Sequence, residues 1–157
     1  MKFKLLALLL LVNFANASEL QIKANSFNAD ENTGISVFNG NVSIQKEHDE
    51  LNASKVVVYT NKKNEPIKFV ANGKVSFMIE TKQGAIYTGK AEKVIYLPNK
   101  KEYHFFKNVH LKQLDDKKEI IGDEVLLNTI EGRAYAKGVQ SEPVIMIFNI
   151  KEKEEKK

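Results

Sequence analysis

The sequence predicts an all-β fold made of a repeated antiparallel unit, and three observations support this prediction. Apolar and polar residues alternate over stretches such as 38–45 and 69–79, which is the pattern of a strand with one buried face. Polar turns, such as residues 46–50, separate these stretches. Two short motifs also recur about every thirty residues, as expected for repeated supersecondary units.

The two motifs interleave along the chain. The first is a step that contains Gly or Asn and ends on valine; it stands at residues 39–42, 72–75, 106–109 and 136–139. The second is a small residue, two polar residues and an apolar residue; it stands at residues 24–27, 53–56, 91–94 and 122–125. Because each unit carries one copy of each motif, we expect a stack of one repeated unit.

The first two units divide into strands and turns. Leu20–Lys23 alternates and opens the first unit, and residues 30–34 are its predicted turn. The second unit covers about residues 49–81, and its turn at 61–66 ends on a proline that blocks a helix. Residues 56–58 are apolar on both faces, so a bulge or a covered outer face is expected there.

The third and fourth units repeat this scheme. In the third unit, about residues 83–116, the alternating positions are Tyr87, Gly89, Ala91, Ile95, Tyr103, Phe105, Val109 and Leu111. In the fourth unit they are Ile121, Val125, Leu127, Tyr135 and Val139. Residues 144–150 are predicted to form a last apolar strand.

The N-terminus has the pattern of a secretory signal. Lys2 and Lys4 precede an apolar run over residues 5–12, and residues 15–17 read Ala-Asn-Ala, an A-x-A cleavage site. The run is shorter than the roughly 20 residues that span a bilayer. We therefore expect residues 1–17 to be a cleaved signal peptide; an uncleaved membrane anchor is the alternative.

Composition limits the partners and the kind of fold. The net charge of +4 includes the two lysines of the signal, which leaves 4 − 2 = +2, too balanced to favour nucleic acid. The chain has no cysteine, so disulfides cannot hold the exported protein together. We expect a single domain over residues 18–150 and a charged, disordered tail at 151–157.

No arrangement of residues points to catalysis, a metal or a cofactor. His104 and His110 lie six residues apart on the polar phase of one predicted strand, about 20 Å apart and too far to share a metal. No Ser-His-Asp arrangement, HExxH motif or phosphate-binding loop is present. The sequence therefore favours a protein that is not an enzyme and has no cofactor. A carbohydrate-active enzyme would need an inward acidic cluster, and none is seen.

Three stretches together resemble the OstA-like family. They are Ile22-Lys-Ala-Asn25, Phe38-Asn-Gly-Asn-Val-Ser-Ile44 and Leu51-Asn-Ala-Ser-Lys-Val-Val-Val58. Two positions depart from the family pattern: Ser54 replaces an acidic residue, and Lys107-Asn108 stands where glycine is expected. The resemblance covers about residues 20–139.

The resemblance implies a V-shaped, twisted β-jellyroll with an open apolar groove. It implies periplasmic binding of lipopolysaccharide through lipid A, and its transport from the inner to the outer membrane as part of a bridge. The implied partners are an anchored LptC-like protein and an LptD-like outer-membrane protein. If the signal is not cleaved, an anchored LptC-like subunit is the alternative; an exported structural or adhesive β-solenoid without a lipid ligand is another.

The alternation predicts which residues would line such a groove. From the residues alone, an open groove and the closed core of a small sandwich are equally compatible, and the resemblance favours the groove. The predicted lipid-binding residues share one phase of the strands: Leu20, Ile22, Phe38, Val42, Ile44, Phe69, Val75, Phe77, Phe105, Val109 and Leu111.

The first and last strands are candidate edges for end-to-end self-association. Residues 20–23 and 144–148 would leave unpaired backbone groups that template another strand. Because the two ends differ, their contact would be heterologous and could grow a filament. The competing hypothesis is that residues 144–150 fold back over the groove as a cap.

Overall fold

The computed structural model describes residues 19–151, and this part of the chain is all-β. The predicted signal peptide and residues 152–157 of the predicted tail lie outside the described residues. Within them, no helix is long and apolar enough to cross a membrane. The ten described strands are β1 Leu20–Lys23, β2 Ser26–Asp30, β3 Ile35–Lys46, β4 Asp49–Thr60, β5 Pro66–Glu80, β6 Ile86–Leu97, β7 Glu102–Gln113, β8 Lys118–Asn128, β9 Arg133–Lys137 and β10 Ile145–Ile147.

The strands form one antiparallel sheet that does not close on itself. Its order is β1-β3-β4-β5-β6-β7-β8-β10, with β2 also beside β3 and β9 also beside β8. Consecutive long strands are therefore neighbours, as a repeated hairpin unit requires. The predicted fold class, an antiparallel and repetitive all-β jellyroll, is confirmed.

A row of β-bulges crosses the sheet and bends every long strand. The pairing register shifts at one level in each pair of neighbouring long strands from β3 to β8, for example between Asn39 and Val42 and between Asn72 and Val75. On β3, β5 and β7, two consecutive residues at this level adopt positive φ: Gly40 and Asn41, Gly73 and Lys74, Lys107 and Asn108. Bulges increase the bend of a strand, so this row acts as a corner.

The corner divides the sheet into two arms. The first arm contains β2, β9 and the parts of the long strands at residues 35–39, 55–60, 66–72, 93–97, 102–106 and 124–128. The second arm contains β1, β10 and residues 42–46, 49–53, 75–80, 86–91, 109–113 and 118–122. At each edge of the sheet, the strand breaks at the corner into two short strands.

Both recurring sequence motifs lie at this corner. The valine that ends the first motif pairs with the small residue of the second motif on the following strand. The register gives this pair three times: Val42 with Ala53, Val75 with Ala91, and Val109 with Gly122. One period of the sequence is thus one pair of neighbouring strands, over which the chain crosses the corner twice.

The two arms face each other and bury a common core. Phe77 of the second arm packs on Phe105 of the first, with ring centroids 4.4 Å apart. Val56, Phe105, Val109 and Leu127 have no exposed surface. Burial of apolar side chains between the arms is the main stabilising contribution that holds the bent sheet together.

The corner also changes which residues face inward. Along β4 and β6, the last inward residue of one arm and the first of the other are three positions apart instead of two, as from Ala53 to Val56 and from Ala91 to Val94. The predictions for Ile95 and Ile121 are therefore wrong, because one alternation was carried through the corner. The buried residues there are Val94 and Ile120. Tyr135 and Val139, predicted as apolar positions of the fourth unit, are exposed.

The last strand is shorter than predicted. Only Ile145–Ile147 pairs, with residues 119–121 of β8, at the edge of the second arm. All residues from Val144 to Ile150 are exposed, and Ile150 keeps 80% of its surface. The cap hypothesis is therefore wrong: the segment extends the sheet edge and does not cover the interior.

Candidate functional site

The candidate site is a cavity between the two arms. Its volume is about 280 Å³, and its lining is mostly apolar. The second arm contributes Leu20, Ile44, Lys46, Asp49, Glu50, Leu51 and Ile79. The first arm and its turns contribute Pro66, Phe69, Ala71, Val94, Tyr96, Pro98 and Tyr103. Such a lining suits an apolar chain whose polar end stays near the charged residues.

The structure brings the eleven predicted groove residues to the interior, with different degrees of burial. Val42, Phe69, Val75, Phe77, Phe105, Val109 and Leu111 are buried. Ile22, Phe38 and Ile44 are partly buried and pack against this core. Leu20 remains 38% exposed and lines the cavity. As contacts of a lipid, these residues remain a prediction.

Only three of the predicted residues line the cavity, namely Leu20, Ile44 and Phe69. Most of the others are covered by apolar side chains of the opposite arm. In the described structure, the centre of the interior is thus filled by the protein's own residues. An apolar ligand longer than the cavity needs space that the arms must provide by moving apart.

A row of aromatic rings leads from the cavity to the centre of the core. Phe69, Tyr96 and Tyr103 are paired across neighbouring strands, with ring centroids 6.0 Å and 4.3 Å apart. Tyr103 continues to Phe105 at 6.1 Å, and Phe105 contacts Phe77. The row lies on one face because these residues share the inward phase of β5, β6 and β7.

Asp49 is the polar centre of the cavity. The Tyr103 hydroxyl donates to Asp49 Oδ2 at 3.0 Å, and the Glu80 backbone N–H donates to Asp49 Oδ1 at 2.9 Å. Burial raises the pKa of Asp49, although the Glu80 and Tyr103 hydrogen bonds and the Lys46 charge oppose this shift. Burial, together with the neighbouring Asp49 charge, also raises the pKa of Tyr103, which keeps its hydroxyl a donor.

The Asp49–Tyr103 hydrogen bond joins the tips of the two arms. Asp49 begins the second-arm part of β4, and Tyr103 lies near the start of the first-arm part of β7. These strands are not neighbours in the sheet, since β5 and β6 lie between them. The bond therefore spans the interior from one arm to the other.

A second contact joins the tips at the turns. The Lys82 N–H donates to the Thr129 carbonyl at 3.0 Å, and Gln83 Nε2 donates to the Ile130 carbonyl at 2.6 Å. Lys82 and Gln83 belong to the turn after β5, whereas Thr129 and Ile130 belong to the turn after β8. The arms are thus held at the corner and also at their tips.

Sequence reasoning did not place Asp49, Leu51 or Tyr96 in the site. Asp49 was part of a predicted polar turn, although it is the first residue of β4. Tyr96 was missed because the alternation was carried through the corner of β6, which put Ile95 on the inner face. The sequence contains a usable signal: Tyr96 and Tyr103 are each two positions outside the turn at residues 98–101, as cross-strand partners are.

The histidines lie away from the cavity. His104 Nε2 is 3.3 Å from Glu102 Oε2 on the same strand, and His110 Nε2 is 2.7 Å from Glu119 Oε2 on the neighbouring strand. Among residues 19–151, no three His, Cys, Asp or Glu side chains are grouped so that they could hold a metal ion.

Residues 21–133 match the sequence profile of a family described as LptA/(LptD N-terminal domain) LPS transport protein. No curated protein matches the chain. Among solved structures, the chain is similar to LptH from Pseudomonas aeruginosa, the LptA-homologous periplasmic component of the lipopolysaccharide transport device. That likeness has a TM-score of 0.74 at 12% identity, and it covers 84% of this chain and 96% of the LptH chain.

Proposed function

Because the chain belongs to the LptA/LptD N-terminal domain family of lipopolysaccharide transport proteins, we propose that it carries lipopolysaccharide across the periplasm. The acyl chains of lipid A lie in the apolar interior between the two arms. The observation that carries this proposal is the apolar cavity of about 280 Å³, which continues into the row of aromatic rings.

The chemistry of the cavity supports an acyl ligand. Each methylene removed from water contributes roughly 0.8 kcal/mol, so a few acyl chains supply more affinity than exposed charge pairs, whose typical value is roughly 0–1 kcal/mol. The interior is also similar along its length, because repeated units present equivalent apolar residues. Successive positions of a lipid therefore differ little in energy, which suits passing it along.

Charged groups near the tips suit the phosphorylated head of lipid A. Lys46 lines the cavity beside Asp49 and Glu50. Exposed Lys62, Lys63 and Lys100 lie in turns at the tips of the first arm. We propose that these ammonium groups contact lipid phosphates, while the acyl chains supply most of the affinity.

The open edges of the sheet support a place in a bridge. β1 and β2 form one edge, and β9 and β10 form the other. We propose that one edge adds to an LptC-like protein and the other to an LptD-like protein, with further copies of this chain between them. The apolar interior then continues from one protein to the next. We also propose that the predicted signal is cleaved after Ala17, which releases the exported chain from the inner membrane.

The test compares the same substitution on the two faces of β4. Leu51 lines the cavity, whereas Val57 lies on the outer face of the strand. In Leu51→Asp, a bound acyl chain would desolvate the new carboxylate, so affinity for purified lipopolysaccharide should fall at least about tenfold. Val57→Asp should leave the affinity unchanged.

Circular dichroism first establishes that both variants are folded, and equilibrium binding of labelled lipopolysaccharide is then measured. Equal losses of affinity in the two variants would argue against binding in the interior. Absence of binding by the wild-type protein, together with a lack of acyl lipids in extracts of the purified protein, would favour the structural β-solenoid.

A further inference from the structure

Within residues 19–151, three hydrogen bonds cross between the arm tips. They are Tyr103 to Asp49, the Lys82 N–H to Thr129 and the Gln83 side chain to Ile130. Other cross-strand hydrogen bonds lie within one arm or at the corner. The tips are therefore joined by few polar contacts, in contrast to the continuous sheet at the corner.

We propose that Asp49 and Tyr103 form a latch that keeps the interior closed, and that it opens to admit lipid. This inference rests on the proposed function, and it assigns to two cavity residues a control of ligand entry. The turns at 81–85 and 129–132 form the second part of the closure.

The packing of the core requires such an opening. Phe77 and Phe105 touch across the interior, and Val109 and Leu127 have no exposed surface. Interiors at this density leave no room for an additional chain. Lipid can extend past the cavity only if the arms separate. The latch lies at the tips, so a small rotation at the corner moves its two partners apart.

The latch is polar, and this makes it reversible. When the arms separate, the Asp49 carboxylate loses its hydrogen bond from Tyr103. Water then enters and donates to the carboxylate instead, so opening has only a small cost. The closed state, in contrast, depends on the hydroxyl. In Tyr103→Phe, one oxygen of the Asp49 carboxylate stays buried without its donor, so the closed state is destabilised relative to the open state.

The rate of acyl-chain uptake tests the latch. The probe is cis-parinaric acid, a fatty acid whose fluorescence rises in apolar surroundings, mixed rapidly with the full chain. Loss of a hydrogen bond to a charged group should raise the uptake rate of Tyr103→Phe by about tenfold.

Tyr87→Phe is the matched control. The Tyr87 hydroxyl donates to Gln113 Oε1 at 3.2 Å, and the two residues pair within the second arm. The substitution removes the same group and a similar contact without affecting the tips. Its uptake rate should equal that of the wild type.

The opposite manipulation locks the tips together. The chain contains no cysteine, so Lys82→Cys with Glu131→Cys places the only two thiols in the facing turns. A thiol-cleavable bismaleimide across this pair should slow uptake at least about tenfold, and cleavage should restore it. The same pair treated with a monofunctional maleimide controls for modification.

The outcomes separate the latch from the proposed function. If all proteins take up the probe to the same final level and at the same rate, lipid binding stands and the latch is wrong. If the wild type takes up no probe at any time, and Tyr103→Phe takes up none either, the proposed function fails together with the latch.

Discussion

At the scale of single residues, Asp49 is a carboxyl group that the fold partly removes from water. It lies in the cavity and accepts hydrogen bonds from Tyr103 and from the Glu80 backbone. Its pKa is above the ordinary value of 3.8, because burial disfavours the charged form. The folded state therefore binds a proton at Asp49 more tightly than the unfolded state does.

This shift predicts a pH-dependent contribution to stability with a definite sign. The contribution is fully present below pH 3.8 and is lost as pH rises through the raised, folded-state pKa. In Asp49→Asn, the contribution is absent, while neighbouring Lys46, Glu47, Tyr96 and Tyr103 are unchanged. The free energy of unfolding of the wild type, minus that of the variant, should therefore increase as pH falls from 7 to 4.

Urea unfolding at a series of pH values measures this difference. Groups elsewhere, such as Glu119 with its lowered pKa beside His110, titrate in both proteins and cancel. A difference that stays constant or decreases toward low pH would show that Asp49 is not held in a desolvating site.

At the scale of elements, the corner is what the sequence encodes most strongly. Three of the long strands, β3, β5 and β7, turn through two consecutive residues of positive φ, which is easy for glycine and strained for other residues. In β3 and β5 a glycine occupies the first position. In β7, Lys107 (φ 61°) and Asn108 (φ 50°) take both positions, and the Asn108 amide donates to Glu92 Oε1 at 2.6 Å.

Lys107→Gly should therefore stabilise the protein. A non-glycine residue in the left-handed region costs roughly 1–2 kcal/mol, and glycine loses roughly 0.5–1 kcal/mol of backbone entropy on folding. The expected gain in the free energy of unfolding is up to about 1 kcal/mol, measured by urea unfolding.

Lys90→Gly is the control, because Lys90 is exposed in β6 and is not among the residues of positive φ. It should destabilise the protein by roughly 0.5–1 kcal/mol. If both substitutions destabilise to the same extent, Lys107 is not strained and the corner does not depend on this conformation.

The corner also marks the limit of sequence reasoning. Strands, turns and the repeat follow from local alternation and turn residues, and the structure has them. Local alternation does not predict which residues of β6 face inward, because the bulge shifts the inward positions between Ala91 and Val94. The contact of Asp49 with Tyr103 joins residues that are 54 positions apart, and no local pattern encodes a pair that forms only when the arms fold together.

At the scale of the whole molecule, the sheet ends in two unlike edges. One edge is β1 with β2, and the other is β9 with β10. Edge strands present unpaired N–H and C=O groups, and β10 is apolar and exposed on both faces. Because the edges differ, a contact between them is heterologous and extends in one direction.

The protein should therefore associate end to end as its concentration rises. A chain ending at Gln140 should associate less because it lacks β10. The variant Met146→Lys should also associate less, because a charge on an edge strand disfavours pairing with another chain. Leu114→Lys is the control, since Leu114 is exposed in the turn between β7 and β8. Light scattering over a concentration series measures the mass; a wild type that stays monomeric contradicts edge-to-edge assembly.

We propose that acyl chains of lipopolysaccharide lie between the arms, and photo-crosslinking from adjacent residues of β6 distinguishes this interior position from binding to the outer face. Tyr96 lines the cavity, whereas Ile95 lies on the outer face of the same strand. A benzophenone side chain at residue 96 should label lipopolysaccharide strongly, and the same group at residue 95 should label it weakly. Equal labelling from both positions, or stronger labelling from residue 95, would show that the acyl chains do not lie between the arms.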